Sequence, residues 1–592
     1  MWTSNWREET WAHLDQAWDI IVVGGGITGA GILREATRLG LRVLLLEQRD
    51  FAWGTSSRSS KLVHGGLRYL KEGKIGLTRA SVHERERLLD EGPGLIDPLG
   101  FLLATYRGDH PGRWMYQAGL TVYDLLALQW SHRRYSAADF QKLAPNILQE
   151  GLKGGFRYGD AQTDDARLVL RVIREAVAAG GSALNYVTVE SLLRNDRQVC
   201  GVQVRDEVTG ATATVTARVV INATGVWADV LRGQVGGVPR IRPLRGSHLI
   251  FSAQRFPLGQ AVSFLHPFDR RPVFIFPWEG VTLVGTTDVD HDEALTHPLV
   301  EPAISAHEVT YLMAAAAAQF PSLRLTLADV IATYAGVRPV IGTGQADPSK
   351  EARDHVVWEE SGLLTVTGGK LTTFRLIALD ALRAVRHRLP ALPVLDEQQP
   401  VLNPVDMDLP AALSETLRRR LLGRYGADAV AVVKAAQPGE LEPLPGTLTV
   451  WAELRFAAAS EGVIHLDDLL LRRVRVGLLL PEGGAALLPR VRAICQPELG
   501  WDDERWQAEE RAYRALWQRC YSIPAPATIP DWRPRLQAAH AQRLQRMAAR
   551  QERRRLIGLL VSMALSVTAV GSFWLLRRKK VQLSSANRSR TT

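Results

Sequence analysis

The pattern of apolar and polar positions is most regular from Asp19 to Glu47, which reads DIIVVGGGITGAGILREATRLGLRVLLLE. The apolar run from Ile20 to Val23 is short, rich in β-branched residues and closed by glycine, which predicts a parallel strand buried on both faces. Apolar residues then recur at helical spacing, and a second apolar run ends at Glu47. The pattern therefore predicts a strand, a glycine turn, an amphipathic helix and a second strand.

Glycines occupy the turn of this unit at the spacing of a dinucleotide-binding site. Gly24, Gly26 and Gly29 fill the pattern G-x-G-x-x-G, which gives a tight turn, close approach of backbone N–H groups to a pyrophosphate and close packing of helix on strand. Glu47 lies near the roughly 20-residue offset expected of the carboxylate that holds a ribose hydroxyl. Gly25 and Thr28 belong to the same turn, so they complete the predicted cofactor contacts.

Two later glycine turns and one loop predict further cofactor contacts. A predicted strand from Val219 to Asn222 ends in a turn that contains Ala223 and Gly225. The segment LLTVTGGKLTTF places a helix N-terminus, with its partial positive charge, at the cofactor. The residues of that turn assigned to the cofactor are Gly368, Gly369, Leu371 and Thr372. Polar loops often carry ligands, and in the loop after Glu47 the hydroxyl donors are Thr55, Ser56 and Ser57.

The remaining patterns predict an α/β protein with a Rossmann-like cofactor domain, an inserted antiparallel β substrate domain, an all-α C-terminal domain and a transmembrane helix. Asp164 and Asp165 are expected to cap a helix that reaches about Ala179. The predicted segments are an N-terminal helix (1–18), the cofactor-binding body (19–398, with the inserted strands mainly at 240–330), a helical domain (399–521), a Pro-rich linker and basic stalk (522–555), the membrane helix (556–576) and a basic tail (577–592).

The segment from Leu556 to Leu576 contains 21 uncharged, mostly apolar residues. As a helix it would be about 32 Å long, against a hydrocarbon core of roughly 30 Å. Basic residues flank it on both sides, so the positive-inside rule does not fix its orientation. The chain starts with acidic residues and tryptophans rather than an export signal, which predicts a catalytic body on the cytoplasmic side of the cell membrane.

Charge and cysteine content narrow the class of protein. The net charge of +10 arises in the tail, where residues 533–592 carry 14 Lys and Arg against one acid. This distribution argues against a nucleic-acid groove on the folded body and favours a lipid bilayer as the partner of the C-terminus. The three cysteines are too widely spaced for a disulfide framework or an iron–sulfur cluster, and no metal site is expected.

Four strings in register, TSSRSSKLVHGGLRYL, GTTDV, AGVRP and TGGKLTT, resemble the FAD-dependent respiratory glycerol-3-phosphate dehydrogenases. The resemblance covers about Asp19 to Tyr521. It implies FAD as cofactor, oxidation of sn-glycerol 3-phosphate to dihydroxyacetone phosphate, and delivery of the electrons to membrane quinone. By the same resemblance, Tyr69, His248 and Thr287 surround the glycerol part of the substrate.

The residues in these strings also suit that chemistry. A doubly charged phosphate ester needs fixed cations, and Arg68, Arg338 and Lys370 lie in or beside glycine- or proline-bearing loops. Oxidation at C2 requires a base for the hydroxyl proton, for which His64 and His248 are both candidates. The sequence does not decide between these two histidines.

Two other functions remain open at this point. A glycerol-3-phosphate oxidase that reduces O₂ would use the same body, although a membrane anchor favours quinone as acceptor. A non-catalytic membrane flavoprotein is the alternative from another class, and the arginines, lysine and histidines named above argue against it. A homodimer is compatible with the sequence, which does not fix the oligomeric state.

Overall fold

The computed structural model describes residues 2, 5–66, 73, 75–108, 112–127, 131–291, 300–342, 354–391, 393–394 and 396–588. The chain forms two compact units, one of Met1–His266 with Arg271–Pro530 and one of Pro267–Arg270 with Asp531–Thr592. The predicted substrate residues Arg68 and Tyr69 lie outside the described residues.

Strands and helices are numbered here in chain order over the described residues. The strands are β1 (Trp18–Val23), β2 (Val43–Leu46), β3 (Leu62–Val63), β4 (Ile96–Tyr106), β5 (Arg133–Tyr135), β6 (Leu152–Thr163), β7 (Ser182–Leu184), β8 (Val187–Asn195), β9 (Gln198–Asp206), β10 (Thr212–Asn222), β11 (Ile241–Ser252), β12 (Ala261–Leu265), β13 (Pro272–Trp278), β14 (Val281–Gly285), β15 (Val289–Asp290), β16 (Val330–Ile341), β17 (Val356–Glu360) and β18 (Leu363–Thr367). The α-helices are α1 (Trp6–Ala12), α2 (Ile27–Arg38), α3 (Ile75–Glu91), α4 (Arg113–Ala127), α5 (Ala137–Leu143), α6 (Asp165–Ala178), α7 (Ala228–Gln234), α8 (Ala306–Gln319), α9 (Phe374–Val385), α10 (Glu415–Tyr425), α11 (Ala429–Ala435), α12 (Trp451–Ser460), α13 (Val476–Leu479), α14 (Leu488–Leu499), α15 (Asp503–Cys520) and α16 (Arg533–Arg588).

The first sheet has a parallel core in the order β7-β2-β1-β10-β18. All six residues of β1 are buried, as expected for the central strand of a sheet covered on both faces. Helix α2 packs between α6 and α9 on this sheet. The predicted strand–turn–helix–strand unit is confirmed, but Trp18 begins β1, whereas the sequence pattern placed it in the N-terminal helix, which ends at Ala12.

The cap of α6 also agrees with the sequence pattern. The Asp164 side chain accepts a hydrogen bond from the Arg167 N–H, which satisfies one of the unpaired donors at the start of a helix. The helix that follows ends at Ala178, one residue short of the predicted end.

The second sheet has the order β15-β11-β14-β13-β12-β4-β6-β3, with β16 paired to β11 and β5 to β6. It is antiparallel except where β12 pairs with β4. The expected antiparallel sheet is therefore present, but it also takes four strands from before residue 164, which the sequence pattern did not predict. The physical reason is that the four strands pair with one another and join the later strands through β4, where Phe101 lies opposite Ala261, far away in the chain.

The helices after residue 400 share an apolar core with the second sheet. One cluster contains Phe276 and Trp278 of β13 together with Trp451 of α12 and Trp506 of α15. This common core holds the helical domain against the sheet.

In the smaller unit, α16 continues without interruption from Arg533 to Arg588, so the stalk and the apolar segment form one helix. Its part Arg555–Lys580 is the one segment among the described helices that is long and apolar enough to cross a membrane, and none of that segment is buried.

Candidate active site

The glycine turn after β1 forms a backbone cradle. Gly24 has a φ of +113°, and a Cβ there would lie 2.6 Å from the carbonyl oxygen of Ala223. A Cβ on Gly29 would lie 1.9 Å from the carbonyl oxygen of Gly24, so α2 approaches the turn more closely than any side chain allows. Glycine at both positions therefore brings the N-terminus of α2 against the turn, where its N–H groups attract an anion.

Glu47 lies at the end of β2 beside this cradle. Its carboxylate accepts hydrogen bonds from the N–H of Gly25 at 2.6 Å and of Arg49 at 2.9 Å. Burial raises the pKa of the Glu47 carboxyl, and the two N–H groups oppose that rise. The two bonds fix the orientation of the carboxylate at the carboxyl end of the parallel strands, where α/β sheets bind their ligands.

The cradle opens on a cavity of about 880 Å³. Most of the predicted cofactor residues line it: Gly24, Gly26, Thr28, Glu47, Thr55, Ser56, Ala223, Gly225, Gly368, Gly369 and Leu371. Lys370 also lines the cavity, between Gly369 and Leu371. The three glycine turns and the hydroxyl-rich loop thus meet around one space, although they are far apart in the chain.

Four predicted cofactor residues do not line the cavity, and each has another contact. Gly25 donates its N–H to Glu47, and Gly29 packs under the turn. The Ser57 side chain is buried, and the Thr372 hydroxyl donates to the carbonyl oxygen of His64 at 3.2 Å. These residues support the wall rather than forming its surface.

His248 lies on one face of the second sheet, beside Ser60 of the hydroxyl-rich loop that follows β2. Its ring stacks on Tyr334 with 4.5 Å between centroids and 12° between planes. Its Nε2 lies 3.0 Å from the Ser60 hydroxyl, and Nδ1 is buried without a hydrogen-bond partner among the described residues. Burial, with smaller effects of Arg338 and Lys61, holds the pKa of His248 well below 6.5, so the ring is neutral at neutral pH.

Arg338 lies on the same face of this sheet. Tyr334 lies opposite His248, and Arg338 follows Tyr334 by four residues on β16, so all three side chains lie on the same face of the sheet. The Arg338 guanidinium occupies the space that a side chain at Gly246 would fill. It donates to the Asp288 carboxylate at 2.9 Å and to the Thr286 hydroxyl at 3.1 Å. Pro339, the residue after Arg338, lines the cavity, and so does Ser59, the residue before the His248 partner Ser60, so both side chains are close to the cavity without being part of its lining.

The loop that contains His64 is joined to the turn that contains Lys370. The Lys370 ammonium donates to the Ser81 hydroxyl of α3 at 3.0 Å. The neighbouring turn holds the backbone of His64 through Thr372. A hydrogen bond from the Thr372 hydroxyl therefore holds the loop with His64 against the glycine turn with Lys370.

The Thr287 side chain lies elsewhere. Its hydroxyl donates to the Glu308 carboxylate at 2.7 Å and accepts from the Ser247 N–H at 2.8 Å. Ser247 alternates with His248 along β11, and its own hydroxyl also donates to Glu308, so this network lies on the face away from His248. The predicted contact between the Thr287 side chain and the substrate is therefore not supported, because that side chain is occupied on the other face.

Comparison with known proteins identifies the family. Residues 19–375 match the family model described as FAD dependent oxidoreductase, and residues 396–506 match the model of the C-terminal domain of alpha-glycerophosphate oxidase. The chain is 36% identical over 489 residues to the aerobic glycerol-3-phosphate dehydrogenase of Staphylococcus aureus (strain USA300), a match that covers 77% of this chain and 86% of that protein. The chain belongs to the family of FAD-dependent aerobic glycerol-3-phosphate dehydrogenases.

Solved structures agree with this assignment. The glycerol-3-phosphate dehydrogenase from Bacillus halodurans, complexed with FAD, matches with a TM-score of 0.68 and 28% identity over 88% of this chain and 98% of that chain. The FAD-bound L-alpha-glycerophosphate oxidase from Mycoplasma pneumoniae matches with a TM-score of 0.50 and 18% identity over 64% of this chain and 96% of that chain, which shows a common fold alone.

The cavity fits the FAD of this dehydrogenase family. Gly24 and Gly29 exclude a Cβ, so the N-terminus of α2 supplies backbone N–H donors where a pyrophosphate requires them. The oriented Glu47 carboxylate supplies the acceptor that a ribose requires. The loop from Trp53 to Lys61 is tied to this cradle, since the Ser56 hydroxyl accepts the Ile27 N–H at 2.9 Å.

Several residues of the dehydrogenase cavity had no sequence signal. Trp53 and Trp227 line it together, with 5.7 Å between their ring centroids. The start of β8, from Val187 to Glu190, forms another part of the wall. No spacing rule connects these segments, because they meet only after the parallel sheet has formed.

Proposed function

We propose that this dehydrogenase oxidises sn-glycerol 3-phosphate to dihydroxyacetone phosphate and passes the electrons to membrane quinone. The observation that carries the proposal is that Lys370 lines the FAD cavity, with Arg338 directly before the lining residue Pro339, in a chain 36% identical to an aerobic glycerol-3-phosphate dehydrogenase. Bound FAD supplies the acceptor for the hydride that leaves C2 of the substrate.

In this proposal the phosphate is held by fixed cations. Arg338 is oriented by Asp288 and Thr286, and Lys370 by Ser81, so neither cation has to be ordered when the substrate arrives. Arg68 and Tyr69 remain proposed partners on the strength of the family resemblance.

The base that takes the C2 hydroxyl proton is proposed to be His64 or His248. His248 is held in the neutral form that a base needs, and Ser60 fixes its Nε2. The carbonyl oxygen of His64 accepts the Thr372 hydroxyl, which fixes the His64 backbone two residues from Lys370.

We further propose that Arg555–Lys580 spans the cell membrane with the catalytic body on the cytoplasmic side. The segment is apolar, fully exposed and bordered by basic residues at both ends. Anchoring would keep the reduced enzyme close to a quinone dissolved in the bilayer, which favours quinone over O₂ as acceptor.

The test is the absorption spectrum of the purified full-length protein under anaerobic conditions. We expect a yellow protein whose flavin band bleaches when glycerol 3-phosphate is added and does not bleach with glycerol at the same concentration. A flavin that stays oxidised with glycerol 3-phosphate would reject the proposed substrate. Quinone reduction without stoichiometric hydrogen peroxide would then separate the dehydrogenase from an oxidase.

A further inference from the structure

Asp288 holds two arginines of the second sheet, and only one of them was predicted from the sequence. Its carboxylate is 1% exposed and accepts from Arg338 Nη1 at 2.9 Å. The other oxygen of the same carboxylate lies 3.2 Å from Arg271 Nη2, and Arg271 Nη1 donates to the Asp288 carbonyl oxygen at 3.2 Å. One buried carboxylate therefore fixes two guanidinium groups next to each other.

The strand order explains why these residues meet. Arg271 directly precedes β13, Asp288 follows β14, and these two strands pair so that Phe274 lies opposite Gly285. Arg338 reaches Asp288 from β16 through the gap above Gly246. The Arg271 backbone is fixed as well, since its carbonyl oxygen accepts the His266 N–H at 2.8 Å.

The exposed surface of the two guanidinium groups favours an anion as their ligand. The carboxylate is buried, whereas the Arg271 and Arg338 side chains are each 23% exposed, so both cations keep part of their surface toward solvent. Arg338 directly precedes Pro339, which lines the cavity. A phosphate dianion has oxygen acceptors on several sides, and planar guanidinium groups suit it better than ammonium groups do.

We propose that Arg271 is a second cation of the phosphate site and binds the phosphate of the substrate together with Arg338. Asp288 then has the role of a positioning residue, because it holds both guanidinium groups without touching the substrate. This inference rests on the proposed function, since it takes the anion to be the phosphate of glycerol 3-phosphate.

The competing explanation is that Arg271 only braces Asp288. In that case Arg271 acts on substrate solely through Arg338, and its removal has no effect once Arg338 is gone. A direct contact predicts a further loss in the absence of Arg338, so a double-mutant cycle separates the two explanations.

The experiment compares R271Q, R338Q and the double variant in the FAD-loaded full-length protein. We expect R271Q to raise both the KM for glycerol 3-phosphate and the dissociation constant of inorganic phosphate about tenfold to hundredfold, with kcat changed by less than about threefold. R271K should recover part of the affinity, because it restores the charge without the two-pronged geometry. In the R338Q background, R271Q should weaken phosphate binding about fivefold further.

R242Q is the matched control. Arg242 is also 23% exposed and pairs with a neighbouring carboxylate, Asp290, so the substitution removes the same charge from the same region. Equal effects of R242Q and R271Q, or no further loss in the double variant, would overturn the inference. Phosphate binding is measured by calorimetry without turnover, so a wild-type enzyme that is not reduced by glycerol 3-phosphate would reject the proposed function separately. If R271Q loses its flavin, the phosphate affinity of R271K is compared with that of the wild type, and a weaker affinity in R271K supports the inference.

Discussion

At the scale of the residue, the environment of His248 sets its protonation. The imidazole is buried between Tyr334 and the Ser60 hydroxyl, and two cations, Arg338 and Lys61, lie near enough to disfavour a third positive charge. Burial also holds the pKa of Lys61 at about 8, while its ammonium still donates to Asp165 at 2.9 Å. His248 is therefore a neutral acceptor under conditions in which a solvent-exposed histidine starts to gain a proton.

The pH dependence of turnover follows from this environment. If His248 is the base, the acidic limb of the kcat profile should lie below pH 6.5, because the neutral form persists until the pH falls through the lowered pKa. His248→Gln should lower kcat by about a hundredfold or more and remove that limb. Steady-state kinetics from about pH 5 to 9 provide the measurement. A limb that survives in His248→Gln and disappears in His64→Gln would assign the base to His64.

At the scale of the element, the first strand–turn–helix unit depends on the absence of side chains. Van der Waals contact needs more than 3 Å, whereas a Cβ on Gly29 would lie 1.9 Å from a backbone carbonyl oxygen. Backbone in the middle of a buried sheet has no room to move, because β1 pairs with strands on both sides. A methyl group at residue 29 must therefore push α2 away from the turn.

We expect Gly29→Ala to yield protein with less than about a tenth of the flavin of wild type, because the displaced helix no longer presents its N–H groups to the pyrophosphate. Gly76→Ala is the control, since it lies in α3 and, among the described residues outside its own helical turn, no atom is within 4 Å of the added Cβ. Flavin content is read from the ratio of visible to ultraviolet absorbance. Full occupancy in Gly29→Ala would mean that the cofactor does not use this turn.

At the scale of the whole molecule, buried charges join the cofactor domain to the helical domain. Asp50, after β2, is fully buried and accepts from Arg473 at 2.6 and 2.8 Å as well as from Arg472. Burial alone would raise the pKa of Asp50, but the two guanidinium groups hold it at about 2. Tyr186 and Asp468 add a hydrogen bond of 2.6 Å between the same two parts of the chain.

Asp50→Asn leaves two buried guanidinium groups without their carboxylate, and the loss of one partner of a buried ion pair costs about 3–5 kcal/mol. We expect a clear fall in Tm, measured by calorimetry at pH 7. The ordinary pKa of Asp, 3.8, is lowered in the folded state, so the stabilisation is present above pH 3.8 and is lost as the pH falls toward 2. Asp139→Asn, at a surface pair with Lys142, should leave Tm unchanged. Equal Tm changes in the two variants would exclude a stabilising role for the buried cluster.

Truncation after Arg535 tests the role of α16. The larger unit ends at Pro530, so its core is untouched by the deletion. We expect a soluble flavoprotein that reduces an artificial dye at a rate within about twofold of wild type, and quinone reduction in membranes that falls at least about tenfold because the anchor is lost. Carbonate should not extract the full-length protein. Extraction by salt or carbonate alone would show that the tail is a peripheral, electrostatic attachment.

Elements whose chemistry is local could be predicted from the sequence. Glycine spacing predicted the turn after β1, because only glycine permits the φ at Gly24 and the contact at Gly29. An aspartate before a helical pattern predicted the cap of α6, and an uninterrupted apolar segment predicted the exposed helix at Arg555–Lys580. Each of these depends on neighbouring residues, so no knowledge of the fold was needed.

Contacts between residues that are far apart in the chain became visible only in the folded molecule. Trp227 and Val187 reach the cofactor cavity through the order of the parallel strands, and Arg271 and Arg338 pair with one carboxylate from the segment between β14 and β15. The face of the sheet on which a side chain lies also depends on the tertiary structure. Ser247 and Thr287 donate to Glu308, so the side chain of Thr287, a predicted substrate residue, lies on the face away from His248. Long-range pairing selects these contacts by burying the largest apolar area, and that selection leaves no periodic trace in the sequence.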